Sequence, residues 1–313
     1  MMGDMVGRRP RELRPDQSMR GQHRFMSAAD GTERFVDVYA PAYSEEPLPV
    51  ILAPHPITWT ADEDYHGGLP GLKRDYHPGW YGLADRYGAL VVMPHGHHRH
   101  EDLCSLASRE QIQDMIQILD NLMVFGYAVD PGRVYACGLS MGGQEALVAA
   151  GRHPERFAAI CAFNPIVDLA AWYDDLASSS HPDILAFGTA RRVALEVGGT
   201  PDSVPAEYEE RGAMAYVEGL SLVPTLLFWS ELDSVVPRQL ERHAARLYHR
   251  VKSMRATAPI AEYNHTTIHG LAQFGEDVRW RLHEWCDYEL ALQWLLMHRR
   301  PSLDLWEQEG RAS

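Results

Sequence analysis

The sequence predicts an α/β fold: a mostly parallel central sheet flanked by helices. Three observations carry this. Short apolar runs of strand length recur along the chain, at Pro49–Ala53, Ala89–Met93, Val134–Cys137, Phe157–Phe163 and Val223–Trp229. Unbroken apolar runs of that length fit strands covered on both faces. Segments of helical periodicity separate them, and strands alternating with helices predict parallel pairing with the functional loops at the carboxyl ends of the strands.

In chain order, residues 1–22 are rich in Arg, Pro, Gly and Met without periodicity and read as a flexible tail. The folded domain is expected over 23–313. Arg34 to Tyr39 alternates apolar and polar residues, as a half-buried strand does. The next two strands each lead into a Pro-His loop, Pro54-His55-Pro56 and Pro94-His95-Gly96. Ile112, Met115, Ile116, Leu119, Leu122 and Met123 line one helical face until Gly126. A strand at Val134–Cys137 precedes a small-residue helix from Gly142 to Ala150. Beyond Val223–Trp229 come a helix over 239–251, a strand over 259–263 and closing helices over 276–298. Residues 168–222 break the rhythm and carry Trp172, Tyr173, Phe187, Tyr208 and Tyr216. They are expected to form a cap-like insertion, and its aromatics suggest apolar surface that a second copy could cover, making a homo-oligomer.

Composition narrows the function. A net charge of −14 repels phosphate backbones and anionic surfaces, so neither nucleic acid nor membrane is an expected partner. No run reaches the ~18 apolar residues of a spanning helix, and the N-terminus lacks an apolar signal core, so the chain reads as soluble and cytoplasmic. Cys104, Cys137, Cys161 and Cys286 are widely spaced, with no CxxC to indicate zinc or a disulfide framework. His95, His97, His98 and His100 invite a metal reading, but no Cys, Asp or Glu spacing completes a site. No metal and no cofactor is expected.

The chemistry centres on Gly138-Leu139-Ser140-Met141-Gly142. A G-x-S-x-G motif gains meaning when a buried strand precedes it and a helix follows, because that sharp turn presents the serine as a nucleophile. Both are expected here. A serine hydroxyl needs a base, and in this arrangement the chain order is serine, acid, histidine. Asp233 lies in the loop after the strand ending at Trp229, with Glu231 as competitor. His269, in Asn264-His265-Thr266-Thr267-Ile268-His269-Gly270, is the favoured base, with His265 and His283 as alternatives. The backbone N–H of Met141, at the start of the helix, is the first expected oxyanion donor. Pro56 has no N–H, so Ile57 is the candidate for the second. Trp59 and Trp172 are candidate walls of an acyl pocket.

With these residues in order, the chain after residue 23 resembles the α/β-hydrolase superfamily. It is most similar to the catalytic domain of prolyl-oligopeptidase-type hydrolases and to polyhydroxybutyrate-depolymerase-like and feruloyl-esterase-like enzymes. The likeness is carried by Val129-Asp130-Pro131-Gly132-Arg133-Val134-Tyr135, the serine motif, and His153-Pro154-Glu155-Arg156-Phe157-Ala158-Ala159. It continues in Val197-Gly198-Gly199-Thr200-Pro201 and in Asp233 with Val236-Pro237. It implies an α/β-hydrolase fold and a Ser140-His269-Asp233 triad. Two departures accompany it. A chain of 313 residues is expected to lack the large N-terminal propeller of prolyl oligopeptidases, and His55-Pro56 stands where relatives usually carry His-Gly or aromatic-Gly. The expected activity is hydrolysis of a small carboxylic ester through an acyl-enzyme. The alternatives are an aminopeptidase or amide hydrolase on the same triad, and a non-catalytic binding protein of the same fold.

Overall fold

The computed structural model describes residues 19–41, 44–57, 76–96, 105–179, 190–266 and 285–300. Eight strands form one sheet: β1 (Met19–Met26), β2 (Glu33–Ala40), β3 (Leu48–Leu52), β4 (Leu90–Pro94), β5 (Val129–Leu139), β6 (Ala159–Phe163), β7 (Thr225–Trp229) and β8 (Ile260–Asn264). Their spatial order is β1-β2-β4-β3-β5-β6-β7-β8. β1 and β2 form an antiparallel hairpin, β2 meets β4 antiparallel, and every pair from β4 to β8 is parallel. This is the α/β-hydrolase architecture expected from the sequence.

Successive strand residues point to opposite faces, and both faces are covered, which explains the continuous apolar runs. On one face Val50, Leu52, Val92, Ala136, Ile160 and Leu227 pack against α2 (Arg109–Asn121), α3 (Met141–Arg152) and the later helix Ala244–Met254. On the other, Ile51, Val91, Tyr135, Cys137, Cys161 and Phe228 pack against α1 (Tyr76–Tyr87) and the closing helix Tyr288–Leu296. Cys137 and Cys161 are register partners in neighbouring strands, both fully buried. The expected helix at Ile112 is capped at its start by the Ser108 hydroxyl, which accepts from Gln111 N at 3.1 Å. Among the described residues no helix is long and apolar enough to cross a membrane.

Three expectations change. The first strand extends N-terminally of residue 23, because Met19 to Gln22 already pair with Asp37 to Ala40. The Arg20 guanidinium, 3.0 Å from the buried Asp37 carboxylate, fastens this polar strand. The helix expected over 239–251 is two helices, α8 (Gln239–Arg242) and α9 (Ala244–Met254), broken at His243 with φ −123° and ψ −114°. Residues 168–222 contain α4 (Leu169–Ser178), α5 (Ala190–Val197), α6 (Pro205–Glu210) and α7 (Val217–Leu220). The later part of this segment belongs to the body of the fold rather than to a cap. A Cβ on Gly219 would stand 2.0 Å from the Gly151 carbonyl oxygen, so α7 lies directly on the end of α3, and Ala213 and Leu220 join the core. The helix Tyr288–Leu296 is α10.

Candidate active site

Ser140 occupies the single residue between β5 and α3, with φ 58° and ψ −119°. A side-chain-bearing residue in this region carries about 1–3 kcal/mol of backbone strain and persists only where its surroundings fix it. They do so from three sides. Ser140 N donates to Phe163 O at 2.9 Å, while Ser140 O accepts from Gln144 N at 3.0 Å and from Ile166 N at 3.4 Å. The serine is thus tied to the end of β6 and to the first turn of α3.

The flanking glycines act through space. A Cβ on Gly138 would stand 2.3 Å from the Gly142 carbonyl carbon, and one on Gly142 would stand 2.1 Å from Pro54 O. Gly142 therefore lets the loop after β3 lie against the elbow. Within that loop the buried His55 places Nδ1 2.8 Å from Pro56 O and Nε2 3.1 Å from His95 O, linking the exits of β3 and β4. Burial lowers the His55 pKa, outweighing the two carbonyl contacts that raise it. Ile57 is half-buried and packs on the core of the second face. Met141 is the first residue of α3, so its N–H has no acceptor within the helix. The first part of the expected oxyanion site is thereby adjacent to Ser140 by construction.

Asp233 is 3% exposed in the loop after β7. Its Oδ1 accepts from Val235 N at 2.8 Å and Val236 N at 3.0 Å, a turn that fixes the carboxylate. Glu231, the competitor, is exposed and accepts from Asn264 Nδ2 at 3.0 Å on the outside of the loop. Trp172, in α4, is 1% exposed, and its Nε1 donates to Val235 O at 2.9 Å. It anchors the Asp233 loop, which corrects its expected place as a pocket wall: its polar edge is committed and its ring is enclosed.

Among the candidate bases, His265 follows β8, is fully buried, and its N–H continues the pairing to Trp229 O at 2.8 Å. Its Nε2 lies 3.3 Å from Asn164 Oδ1, and its ring centroid is 4.6 Å from that of Trp285. His269, His283 and Trp59 lie outside the described residues, as do His97, His98 and His100. His95 points Nε2 toward Asp37 Oδ2 at 3.4 Å.

Two residues missed by sequence reasoning organise the site. Asn164, in the left-handed region at φ 41°, accepts at Oδ1 from Ser230 N at 3.2 Å and contacts His265, joining the exits of β6, β7 and β8. A strand followed by Asn was the available signal, since Asn tolerates positive φ. His243 is fully buried, and its Nδ1 accepts from Val167 N at 3.2 Å and Asp168 N at 3.4 Å. Acceptance at Nδ1 places the proton of the neutral ring on Nε2. Burial drives the His243 pKa down to about 4, against the opposing fields of Asp168 and Asp233. No sequence pattern announces this residue.

The model of the prolyl oligopeptidase family matches residues 95–290. Among solved structures, the acylaminoacyl peptidase of Pyrococcus horikoshii is 19% identical, with a TM-score of 0.62, over 90% of this chain and 42% of that one. The S-formylglutathione hydrolase of Agrobacterium tumefaciens is 20% identical, with a TM-score of 0.54, over 89% of this chain and 94% of that one. A thermostable esterase is 17% identical, with a TM-score of 0.52, over 90% of this chain and 63% of that one. The chain thus spans about two fifths of the acylaminoacyl peptidases it matches (41% and 42%). At these identities the likenesses establish the fold. No curated protein matches the sequence.

Proposed function

The chain belongs to the prolyl oligopeptidase family, and from that premise we propose that it is a serine hydrolase that cleaves small carboxylic esters through an acyl-enzyme. The observation that carries the proposal is Ser140, held at φ 58° between β5 and α3 beside the first amide of a helix, which has no acceptor within that helix. In this reading His269, the favoured base, takes the proton as Ser140 Oγ attacks the ester carbonyl. Asp233 holds the imidazole in the required tautomer. The N–H groups of Met141 and Ile57 receive the developing oxyanion. The imidazolium returns its proton to the departing alcohol, and water repeats the sequence to release the acid.

Ester rather than amide cleavage is favoured by the near-complete overlap with a hydrolase of similar length, 94% of whose chain is matched. Amide cleavage is the second reading, favoured by the higher TM-score of the acylaminoacyl peptidase. Turnover of short acyl aryl esters against aminoacyl anilides separates them, and anilide preference selects the second. Ser140→Ala is expected to fold normally and to lower turnover about 10⁴-fold or more. Undiminished turnover in that variant, or failure of a fluorophosphonate to label Ser140 in the unaltered protein, overturns both.

A further inference from the structure

Glu145 lies four residues after Met141 on α3, so the two side chains share a face of the helix. It is 1% exposed. Its partners among the described residues are all uncharged: the Ser105 hydroxyl donates to Oε1, Gln111 Nε2 donates to Oε2 at 3.0 Å, and Ala107 N–H also reaches the carboxyl. The same Ser105 hydroxyl stands 3.8 Å from Met141 Sδ. The short turn that presents it is strained, with Leu106 at φ 45° and Ala107 at φ 53°. Arg211 Nη1 braces it by donating to Ser105 O at 3.0 Å. A buried carboxyl with three donors and no cation, gripping a strained turn against the residue after the proposed nucleophile, is unexplained by packing alone.

We propose that Glu145 and Ser105 form a proton-controlled clamp on Met141, in which Glu145 is a positioning residue for the Met141 N–H. The inference rests on the assignment of that N–H to the oxyanion. When the carboxyl is ionised, Ser105 commits its proton to Glu145. When Glu145 takes one proton from solvent, its O–H donates to Ser105 Oγ and the Ser105 proton turns to Met141 Sδ, tightening the first turn of α3. Burial raises the Glu145 pKa to about 7, so both states are populated near neutrality. Around this cluster Arg211 pairs with Glu196 and Glu207, Arg109 pairs with Glu210, and Asp114 accepts from Ser27. None of them bonds to Glu145.

The test is the rate at which a fluorophosphonate labels Ser140 between about pH 6 and about pH 8.5. Glu145→Gln imitates the neutral state, its amide donating to Ser105. It is expected to match the unaltered protein at the acid end and to exceed it about threefold at the alkaline end, the effect of one weak hydrogen bond. With an ester substrate the gap should fall in kcat and leave KM unchanged. Ser105→Ala, which severs the link to Met141, is expected to match the unaltered protein at the alkaline end and to fall about threefold below it at the acid end, and it carries the test if the glutamine variant does not fold. Parallel profiles in a protein that labels overturn the clamp alone, since a purely structural Glu145 would shift the melting temperature and leave the profile's shape intact. An unaltered protein that does not label overturns the functional reading and the clamp with it.

Discussion

The elbow at Ser140 and the loop at Asp233 are held by opposite means. The elbow is fixed by its main chain: a strained serine, three backbone hydrogen bonds, and glycines where any side chain would collide. The acid loop is fixed by side chains reaching for backbone: Asp233 and Trp172 bond the main chain at Val235 and Val236, and Asn164 bonds Ser230 N. A structure built from backbone strain admits few residue types and so leaves a motif. One built from side-chain contacts admits many solutions and leaves none.

Substitutions at the two regions should therefore differ in kind. Asp233→Asn keeps both backbone acceptances at Oδ1 but removes the charge, so the fold should hold while turnover of an activated ester falls by roughly 10³ to 10⁴. Glu231→Gln, on the outer side of the loop, should leave the rate within about twofold; the reverse pattern would exchange the roles of the two acids. At the elbow, Gly142→Ala drives a methyl group into the Pro54 carbonyl, where neither backbone can yield. A loss of at least about 3 kcal/mol by denaturant unfolding is expected, far above the cost of an ordinary buried glycine.

Two buried titrating groups oppose each other. His243, with a folded pKa near 4 against 6.5, binds less proton in the folded chain, so stability grows with pH from about 4 to 6.5 by about 1.4 kcal/mol per unit. Glu145, with a folded pKa near 7 against 4.5, binds more proton in the folded chain. It lowers stability with rising pH by a similar ~1.4 kcal/mol per unit from about 4.5 to 7. The two slopes cancel over their common window. Urea melts of Glu145→Gln should uncover the rising His243 slope between about pH 5 and 6.5, and an unchanged slope would refute the opposition. The smallest effect belongs to Trp172→Phe, which loses one bond to Val235 O. About 1 kcal/mol of stability is expected to go, with a modest fall in kcat as the acid loop loosens; KM rising alone would restore Trp172 to a pocket wall.

Regions built from backbone and regions built from side chains also differ in what the sequence discloses. The sheet was legible because strands buried on both faces need unbroken apolar runs, and α2 because a regular apolar stripe marks it. The serine elbow was legible because the close approach of neighbouring backbone around it demands glycine at 138 and 142. β1 was obscured because Met19-Arg20-Gly21-Gln22 is polar, and its tie to Asp37 is an ion pair across the hairpin. The break between α8 and α9 was hidden because His243 leaves the helix for a tertiary bond to Val167 N. Trp172 was misplaced because one aromatic residue can line a pocket or brace a loop, and only the partner of its N–H decides. Asn164, His243 and Glu145 act on segments distant in the chain; an Asn at the end of a strand hints at the first, and no local spacing encodes the other two.

The paired thiols at the middle of the sheet have a practical consequence. Cys137 and Cys161 are enclosed, and burial raises both well above the ordinary thiol range, so neither supplies thiolate while the sheet is closed. Cys137 lies on β5, three residues before Ser140. Alkylation at Cys137 and Cys161 thus becomes a clock for opening of the strands that carry the serine, and its rate measures how often that part of the molecule comes apart.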